Sequence, residues 1–162
     1  MFIGQWTYKI DGKGRLPFPP RFRASLKEGV VLLPGPEASL TGYPLEVFLR
    51  MASRMTEADG SSREVRLLKR ALIGQAVQLD LDGQGRVLLP QEFRAYAELS
   101  ESAVIIGLFR SFEIWSPARW ESERLMAQEQ LHNLLEKGPI YEGVPSKGLA
   151  DKRKSQEWVQ EV

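Results

Sequence analysis

The chain has 162 residues, of which 27% are charged and 43% hydrophobic, and its formal net charge is +1. These values are typical of one ordinary globular domain or of two small related ones. There is no cysteine, which excludes disulfides and zinc–thiolate sites, and the single histidine excludes multi-histidine metal sites. Because the chain has no long apolar run and no signal-peptide pattern at its start, we expect a cytoplasmic protein without a membrane span.

The first half is predicted to contain short strands followed by a helix. Trp, Thr, Tyr and Ile favour a strand before Asp11. The next residues, Asp-Gly-Lys-Gly, favour a turn, because Asp accepts backbone hydrogen bonds and Gly tolerates positive φ. The chain would then return in a second strand, as a hairpin or a tight strand-turn-strand unit. The predicted elements are strands at residues 5–10, 15–18, 30–33 and 40–43, a helical turn at 21–26 and an amphipathic helix over 45–55.

The second half is predicted to repeat this order after a polar loop and a linking helix. Residues 63–72 have the spacing of an amphipathic helix with several basic residues. A strand, a turn, a returning strand and a helical turn follow over residues 76–96, and two apolar strands and a long helix follow those. The predicted organisation is a first unit at 1–60, a linking helix at 61–72, a second unit at 73–137 and a flexible tail at 138–162.

The two halves share a motif, which lies at residues 10–23 and again at 81–94. Asp82 follows Asp11 by 71 residues, and seven of the fourteen aligned positions are identical. The shared core is Asp-Gly-x-Gly-Arg, then Pro, then Phe-Arg. A unit of about 50 residues with short strands buries little apolar surface alone. The repeat therefore predicts two copies that fold against each other as a pseudo-dimer within one chain.

A set of short motifs occurs in a fixed order along the chain. It consists of Met1-Phe2-Ile3-Gly4, Asp-x-x-x-Arg at Asp11/Arg15 and Asp82/Arg86, Pro-x-x-Phe-Arg ending at Arg23, Tyr43-Pro44-Leu45, and Glu113-Ile114-Trp115 with Trp120. With these motifs the sequence resembles the MraZ family, the bacterial regulators associated with the division and cell-wall gene cluster. The resemblance covers roughly residues 1–125, and no family role is carried beyond about residue 129. Pro17 and the Pro19-Pro20 pair make the first copy richer in proline than the family pattern.

The resemblance implies a fold and a function. The implied fold is mainly β with flanking helices (α+β), in which two tandem AbrB-type swapped-hairpin units form an intramolecular, pseudo-dimeric β-barrel. The implied function is a nucleoid-associated transcriptional regulator, a repressor of its own division and cell-wall operon. It would bind short direct repeats in promoter double-stranded DNA as a ring-shaped homo-oligomer, without a cofactor or metal and without a membrane partner.

The charges of the two copies differ. Residues 9–23 carry a net charge of +4, whereas the equivalent residues 80–94 carry −1. Because counterion release supplies most non-specific DNA affinity, the first copy is predicted to face DNA and the second to serve folding or assembly. Arg15 would read a guanine edge in the major groove and the other cations would contact phosphates. The predicted DNA-binding residues are Lys9, Lys13, Arg15, Arg21 and Arg23, and the predicted structural or secondary contacts are Asp11, Asp82 and Arg86.

Several sequence features are compatible with a structural role as well as with a functional one. The repeated Asp and Arg can pair across each turn for structural reasons, which does not exclude a DNA contact by Arg15. The basic face of residues 63–70 is typical of a solvated helix face, but it also suits a ring lining or DNA. The apolar stripe at 45–55 suits the core or a subunit interface, and the tail suits disorder, an arm on a ring or a DNA-contacting arm.

No enzyme is predicted. His132 is the only histidine, no acid or base partner can be assigned to it, and the carboxylates form no recognisable catalytic pair. A phosphate-binding P-loop is also absent from the sequence. The alternative from another functional class is an antitoxin-like or scaffold interaction module without operator specificity.

Overall fold

The computed structural model describes residues 1–57 and 62–137, so the predicted tail lies outside the described residues. The described part contains eight strands and five α-helices, which confirms the predicted fold class, mainly β with flanking helices. The strands are β1 (Phe2–Lys9), β2 (Arg15–Pro17), β3 (Val30–Pro34), β4 (Leu40–Pro44), β5 (Val77–Leu79), β6 (Arg86–Leu88), β7 (Ser102–Phe109) and β8 (Ser111–Trp115), and the helices are α1 (Pro20–Arg23), α2 (Leu45–Glu57), α3 (Arg63–Leu72), α4 (Gln91–Tyr96) and α5 (Pro117–Lys137).

The strands form two antiparallel sheets. One has six strands in the order β1-β7-β8-β4-β3-β5, and the other consists of β2 and β6. Of the two local alternatives, the hairpin is excluded and the strand-turn-strand unit is found, because β1 pairs with β7 and β2 pairs with β6. This exchange agrees with the swapped-hairpin units that the resemblance implied. A hairpin of β1 with the three-residue β2, which includes Pro17, would be marginal alone. Pairing with the other copy instead places both strands over a shared core.

The exchange of strands between the copies is mutual. Trp6 of β1 lies opposite Ile105 of β7, and the equivalent pair in the other direction joins Val77 of β5 to Leu32 of β3. The centre of this pseudo-symmetry is the two-stranded sheet, where Leu16 lies opposite Val87. Residues Met1–Trp120 accordingly form one compact body that contains both copies of the motif.

Equivalent residues of the two copies enter a single hydrophobic core. Phe112 lies near its centre, with its ring centroid 5.4 Å from that of Phe2 and 5.2 Å from that of Phe18. Gly42 makes room for this ring, because a Cβ added at Gly42 would lie 2.1 Å from Phe112 Cζ. The pairs of equivalent buried residues are Leu16 and Val87, Phe18 and Leu89, and Phe22 and Phe93.

Helices cover equivalent parts of the large sheet. Phe48 of α2 packs on Val31 and Leu33 of β3. Trp120, in the first turn of α5, packs on a cluster at the equivalent strand that includes Val104. Residues 121–137 continue α5 and belong to a separate compact unit, in which Arg124 pairs with Glu121 at 2.7 Å.

Candidate nucleic-acid interface

The first turn, residues 11–14, is held by the carboxylate of Asp11. Asp11 Oδ1 accepts hydrogen bonds from the backbone N–H groups of Lys13 at 2.9 Å and Arg15 at 3.0 Å. Asp11 Oδ2 accepts a third bond, from Arg15 Nε at 2.6 Å. The backbone N–H of Gly14 donates to the Asp11 carbonyl at 2.8 Å and closes the turn. These contacts fix the direction in which the Arg15 side chain leaves the strand.

The pKa of Asp11 reflects these contacts. The backbone N–H of Arg15 is the largest cause that lowers it, and the Arg15 guanidinium and the Lys13 N–H add to the effect. Partial burial acts in the opposite direction, but the pKa still falls to about 2. Asp11 is therefore ionised, and Arg15 stays paired, throughout the physiological pH range.

The second turn, residues 82–85, repeats the same arrangement. Asp82 Oδ1 accepts from the backbone N–H groups of Gln84 and Arg86, each at 2.9 Å, and Asp82 Oδ2 accepts from Arg86 Nε at 2.8 Å. The Arg86 guanidinium is the largest cause that lowers the pKa of Asp82, which falls to about 2. An Asp–Arg contact is therefore present across each turn, and it is compatible with either of the interpretations left open by the sequence.

The arginines that follow the two turns lie on one face of the two-stranded sheet. Leu16 and Val87 at its centre are fully buried, so Arg15 and Arg86 project from the opposite, outer face. The two arginines approach each other closely enough that Arg86 Nη1 lies 3.7 Å from Asp11 Oδ2. The two copies, of which the sequence predicted one to face DNA and the other to serve folding, therefore place their arginines next to each other on one surface.

The other predicted cations differ in their surroundings. Lys9, Lys13 and Arg21 are exposed. None of these three has an ion-pair partner within residues 1–57 and 62–137. Arg23 is half-buried, and its Nε donates to the Phe18 carbonyl at 2.9 Å. The first three are free to meet an anion, whereas Arg23 is tied to the fold.

Comparison with known proteins identifies the family to which the chain is related. The family described as "MraZ protein, putative antitoxin-like" matches the chain twice, over residues 1–71 and 72–136. The chain belongs to the MraZ family. The predicted resemblance is confirmed, and each of the two matched units contains one Asp–Arg turn.

Curated relatives agree with the MraZ assignment over most of the chain. A "Transcriptional regulator MraZ" from Roseiflexus castenholzii is 47% identical over 122 residues, which are 75% of this chain and 85% of the relative. Relatives of the same name from Dehalococcoides mccartyi and Pediococcus pentosaceus are 38% and 32% identical over 137 and 136 residues. These alignments cover 84% of this chain in both cases, and 96% and 95% of the relatives.

One residue at this surface was missed by the sequence reasoning. Arg94, in α4 of the second MraZ unit, lies against the first turn, because a Cβ added at Gly14 would be 2.9 Å from Arg94 Cζ. The backbone of the same unit reaches the same glycine, where the N–H of Leu89 donates to the Gly14 carbonyl at 3.0 Å. The signal was present in the repeat, since Arg94 is the equivalent of Arg23, but its spatial neighbour could not be known before the strand exchange was seen.

The described residues offer neither a metal site nor a helix that spans a membrane. Within residues 1–57 and 62–137, His, Asp and Glu form no group of three or more that is suited to hold a metal ion. None of the helices in the described part of the chain is both long and apolar enough to cross a bilayer.

Proposed function

We propose that this chain is a sequence-specific DNA-binding transcriptional regulator that represses the operon containing its own gene. The main support is that the two copies of the motif differ at exposed charged positions. The fold-bound arginines recur at equivalent positions in both units, whereas the exposed cations of the first unit do not. The three non-recurring pairs, first unit before second, are Lys9 and Asp80, Lys13 and Gln84, and Arg21 and Glu92.

Arg15 is the proposed base-reading residue. Its Nε is occupied by Asp11, which orients the guanidinium and leaves its terminal nitrogens for a guanine edge in the major groove. Lys13 at the exposed tip of the first turn, with Lys9 and Arg21, is suited to phosphates, which set position and affinity rather than sequence preference.

Arg86 is proposed as a secondary contact. Its Nε and Nη2 both lie 2.8 Å from Asp82 Oδ2, and its Nη1 faces Asp11 at 3.7 Å, so two carboxylates hold it. Within residues 1–57 and 62–137, Arg15 pairs with one carboxylate, and 31% of its side chain is exposed compared with 22% for Arg86. The less restrained arginine is the better candidate for reaching into a groove.

The mode of assembly belongs to the same proposal. Identical first turns presented side by side on a ring-shaped homo-oligomer would engage short direct repeats, and each additional turn would raise the affinity through effective concentration. A variant that is monomeric by native mass spectrometry is expected to lose at least 100-fold in affinity for a fragment with several repeats. Tight binding by a strict monomer would contradict this part of the proposal. Residence at the nucleoid follows from binding promoter DNA.

The decisive experiment compares two matched variants of the full chain. Fluorescence anisotropy would measure binding to a duplex from the region immediately upstream of the gene, with a scrambled duplex as control. Arg15→Ala is expected to weaken operator binding by about 5- to 150-fold, the equivalent of losing one bidentate base contact of 1–3 kcal/mol. Arg86→Ala is expected to weaken it less at equal folded fraction, and a larger effect of Arg86→Ala would contradict the proposed roles.

The family description as antitoxin-like favours one alternative, a protein-partner module without operator specificity. Salt separates the two functions. DNA binding through phosphates falls with a log–log slope near −0.9 per contact. A protein-partner module would show equal affinity for the operator and the scrambled duplex at every salt concentration. A reporter gene behind the upstream region would distinguish repression from activation.

A further inference from the structure

An arginine from the other unit packs against a glycine in each turn. Arg94 of α4 lies against Gly14 in the first turn, and Arg23 of α1 lies against Gly85 in the second turn. Backbone hydrogen bonds run beside both contacts, from the Phe18 N–H to the Gly85 carbonyl at 2.9 Å and from the Leu89 N–H to the Gly14 carbonyl at 3.0 Å. The side chains at each turn therefore come from both halves of the chain.

The two crossing arginines are not equivalent in their contacts. Arg23 Nε donates to the Phe18 carbonyl at 2.9 Å, which ties the guanidinium to its own unit. Arg94 Nε is shielded from solvent and has no hydrogen-bond partner in the described part of the chain, although the side chain as a whole is only half-buried. An external anion cannot reach the shielded Nε, but the terminal nitrogens of Arg94 are not among the shielded atoms, and they make no hydrogen bond within residues 1–57 and 62–137. Those nitrogens are therefore available to an anion at the first turn, whereas Arg23 is held by the Phe18 carbonyl.

We infer that Arg94 is a phosphate contact of the first turn, so that the DNA-binding surface formed by Lys13 and Arg15 is completed by a cation from the second unit. This inference rests on the proposed DNA-binding function. Arg94 presents a planar set of N–H donors that suits phosphate oxygens, and it lies against Gly14, which has no side chain to cover it. Arg23 is correspondingly a support of the second turn rather than a phosphate contact of the first.

The assignment predicts a salt-dependent defect. Removing one phosphate contact reduces the log–log salt slope by about 0.9 per engaged subunit, which corresponds to about an 8-fold loss of affinity at 0.1 M salt relative to 1 M. The full chain and its Arg94→Gln variant would be titrated by anisotropy with the upstream duplex between 0.1 and 1 M KCl. The variant is expected to bind about 8-fold more weakly at 0.1 M for each subunit that engages the duplex, and the difference should vanish towards 1 M.

Two control variants separate contact from support. Arg94→Lys keeps the charge and is expected to recover most of the lost salt slope. Arg23→Gln removes the equivalent arginine and is expected to lower the melting temperature while changing the slope less than Arg94→Gln does. A salt-independent loss in Arg94→Gln, or an equal change of slope in Arg23→Gln, would overturn the inference.

The wild-type protein provides a second measurement if Arg94→Gln does not fold. The guanidinium resonance of Arg94, identified by its absence from the Arg94→Lys spectrum, is expected to shift when the upstream duplex is added. No shift at saturation would overturn the inference. Failure of the wild-type chain to prefer the upstream duplex over a scrambled one would instead contradict the proposed function itself, so the two failures are distinguishable.

Discussion

The glycines of the two turns provide a quantitative test of the strand-exchanged arrangement. Gly14 and Gly85 have φ of +84° and +74°, in the left-handed region, and each lies under an arginine of the other unit. Alanine at either position would be strained, because an L-residue disfavours this backbone conformation, and its Cβ would also collide with the guanidinium of the crossing arginine. Gly12 and Gly83 are matched controls in the same turns, because a Cβ at either position would meet no atom within 4 Å.

The structure ranks the expected losses of unfolding free energy. An L-residue in the left-handed region costs about 1–2 kcal/mol, which sets the loss for Gly14→Ala. At Gly85 the added Cβ would lie 2.3 Å from Arg23 Nε, so the guanidinium must move and its hydrogen bond to the Phe18 carbonyl is lost. That bond is worth about 0.5–1.5 kcal/mol, which brings the expected loss for Gly85→Ala to about 1.5–3.5 kcal/mol.

Urea unfolding followed by tryptophan fluorescence, at one fixed protein concentration, would measure these losses. The control variants at Gly12 and Gly83 are expected to be neutral or stabilised by up to about 1 kcal/mol, because alanine reduces the entropy of the unfolded chain. Equal losses at Gly12 and Gly14 would refute the reasoning about backbone conformation. A loss at Gly85 no larger than that at Gly14 would refute the role given to the Arg23 hydrogen bond.

Two further predictions concern the centre of the fold and its acid response. Leu16→Ala is expected to reduce the unfolding free energy by about 2–5 kcal/mol, since Leu16 is fully buried at the pseudo-symmetry centre, and chemical denaturation would measure this. Asp11 and Asp82 have folded pKa values of about 2, below the ordinary 3.8, so their stabilising contribution is complete above about pH 4 and is lost as the pH falls through about 2. Melting temperatures between pH 5 and 2 are therefore expected to fall less steeply in the Asp11→Asn, Asp82→Asn double variant than in the wild type, and parallel curves would contradict this.

Local chemistry made the turns predictable from the sequence. Asp followed by two glycines and Arg has only short-range requirements, namely a carboxylate that accepts nearby N–H groups and a residue that tolerates positive φ. Pairing of Asp with Arg was accordingly one of the interpretations that the sequence offered, and the bonds from Arg15 and Arg86 are 2.6 Å and 2.8 Å long. The short strands were also predicted, apart from shifts of a few residues at ends such as that of β1.

Strand pairing was implied only by the family resemblance, because it depends on residues far apart in the chain and no local pattern determines it. A turn at Asp11 is compatible with a local hairpin and also with exchange, and the sequence near it favours neither. The choice follows from burial, since exchange places equivalent residues such as Phe22 and Phe93 in one core. The position of Arg94 over Gly14 is a consequence of that exchange, so it could not be foreseen before the pairing was known.

The strand exchange also changes the meaning of the charge difference between the copies. A count along the chain assigns Arg23 to the first turn and Arg94 to the second, whereas the structure places each against the other turn. Because one arginine replaces another, the excess of positive charge at the first turn survives the reassignment. The residues that create this excess are exposed and make no ion pair in the described part of the chain, so the fold does not require their charge. The exposed cations concerned are Lys9, Lys13 and Arg21 of the first unit, and the second unit has no cation at the equivalent positions. Binding of an anionic ligand by the first unit best explains positive charges that the fold does not use and the second unit does not keep.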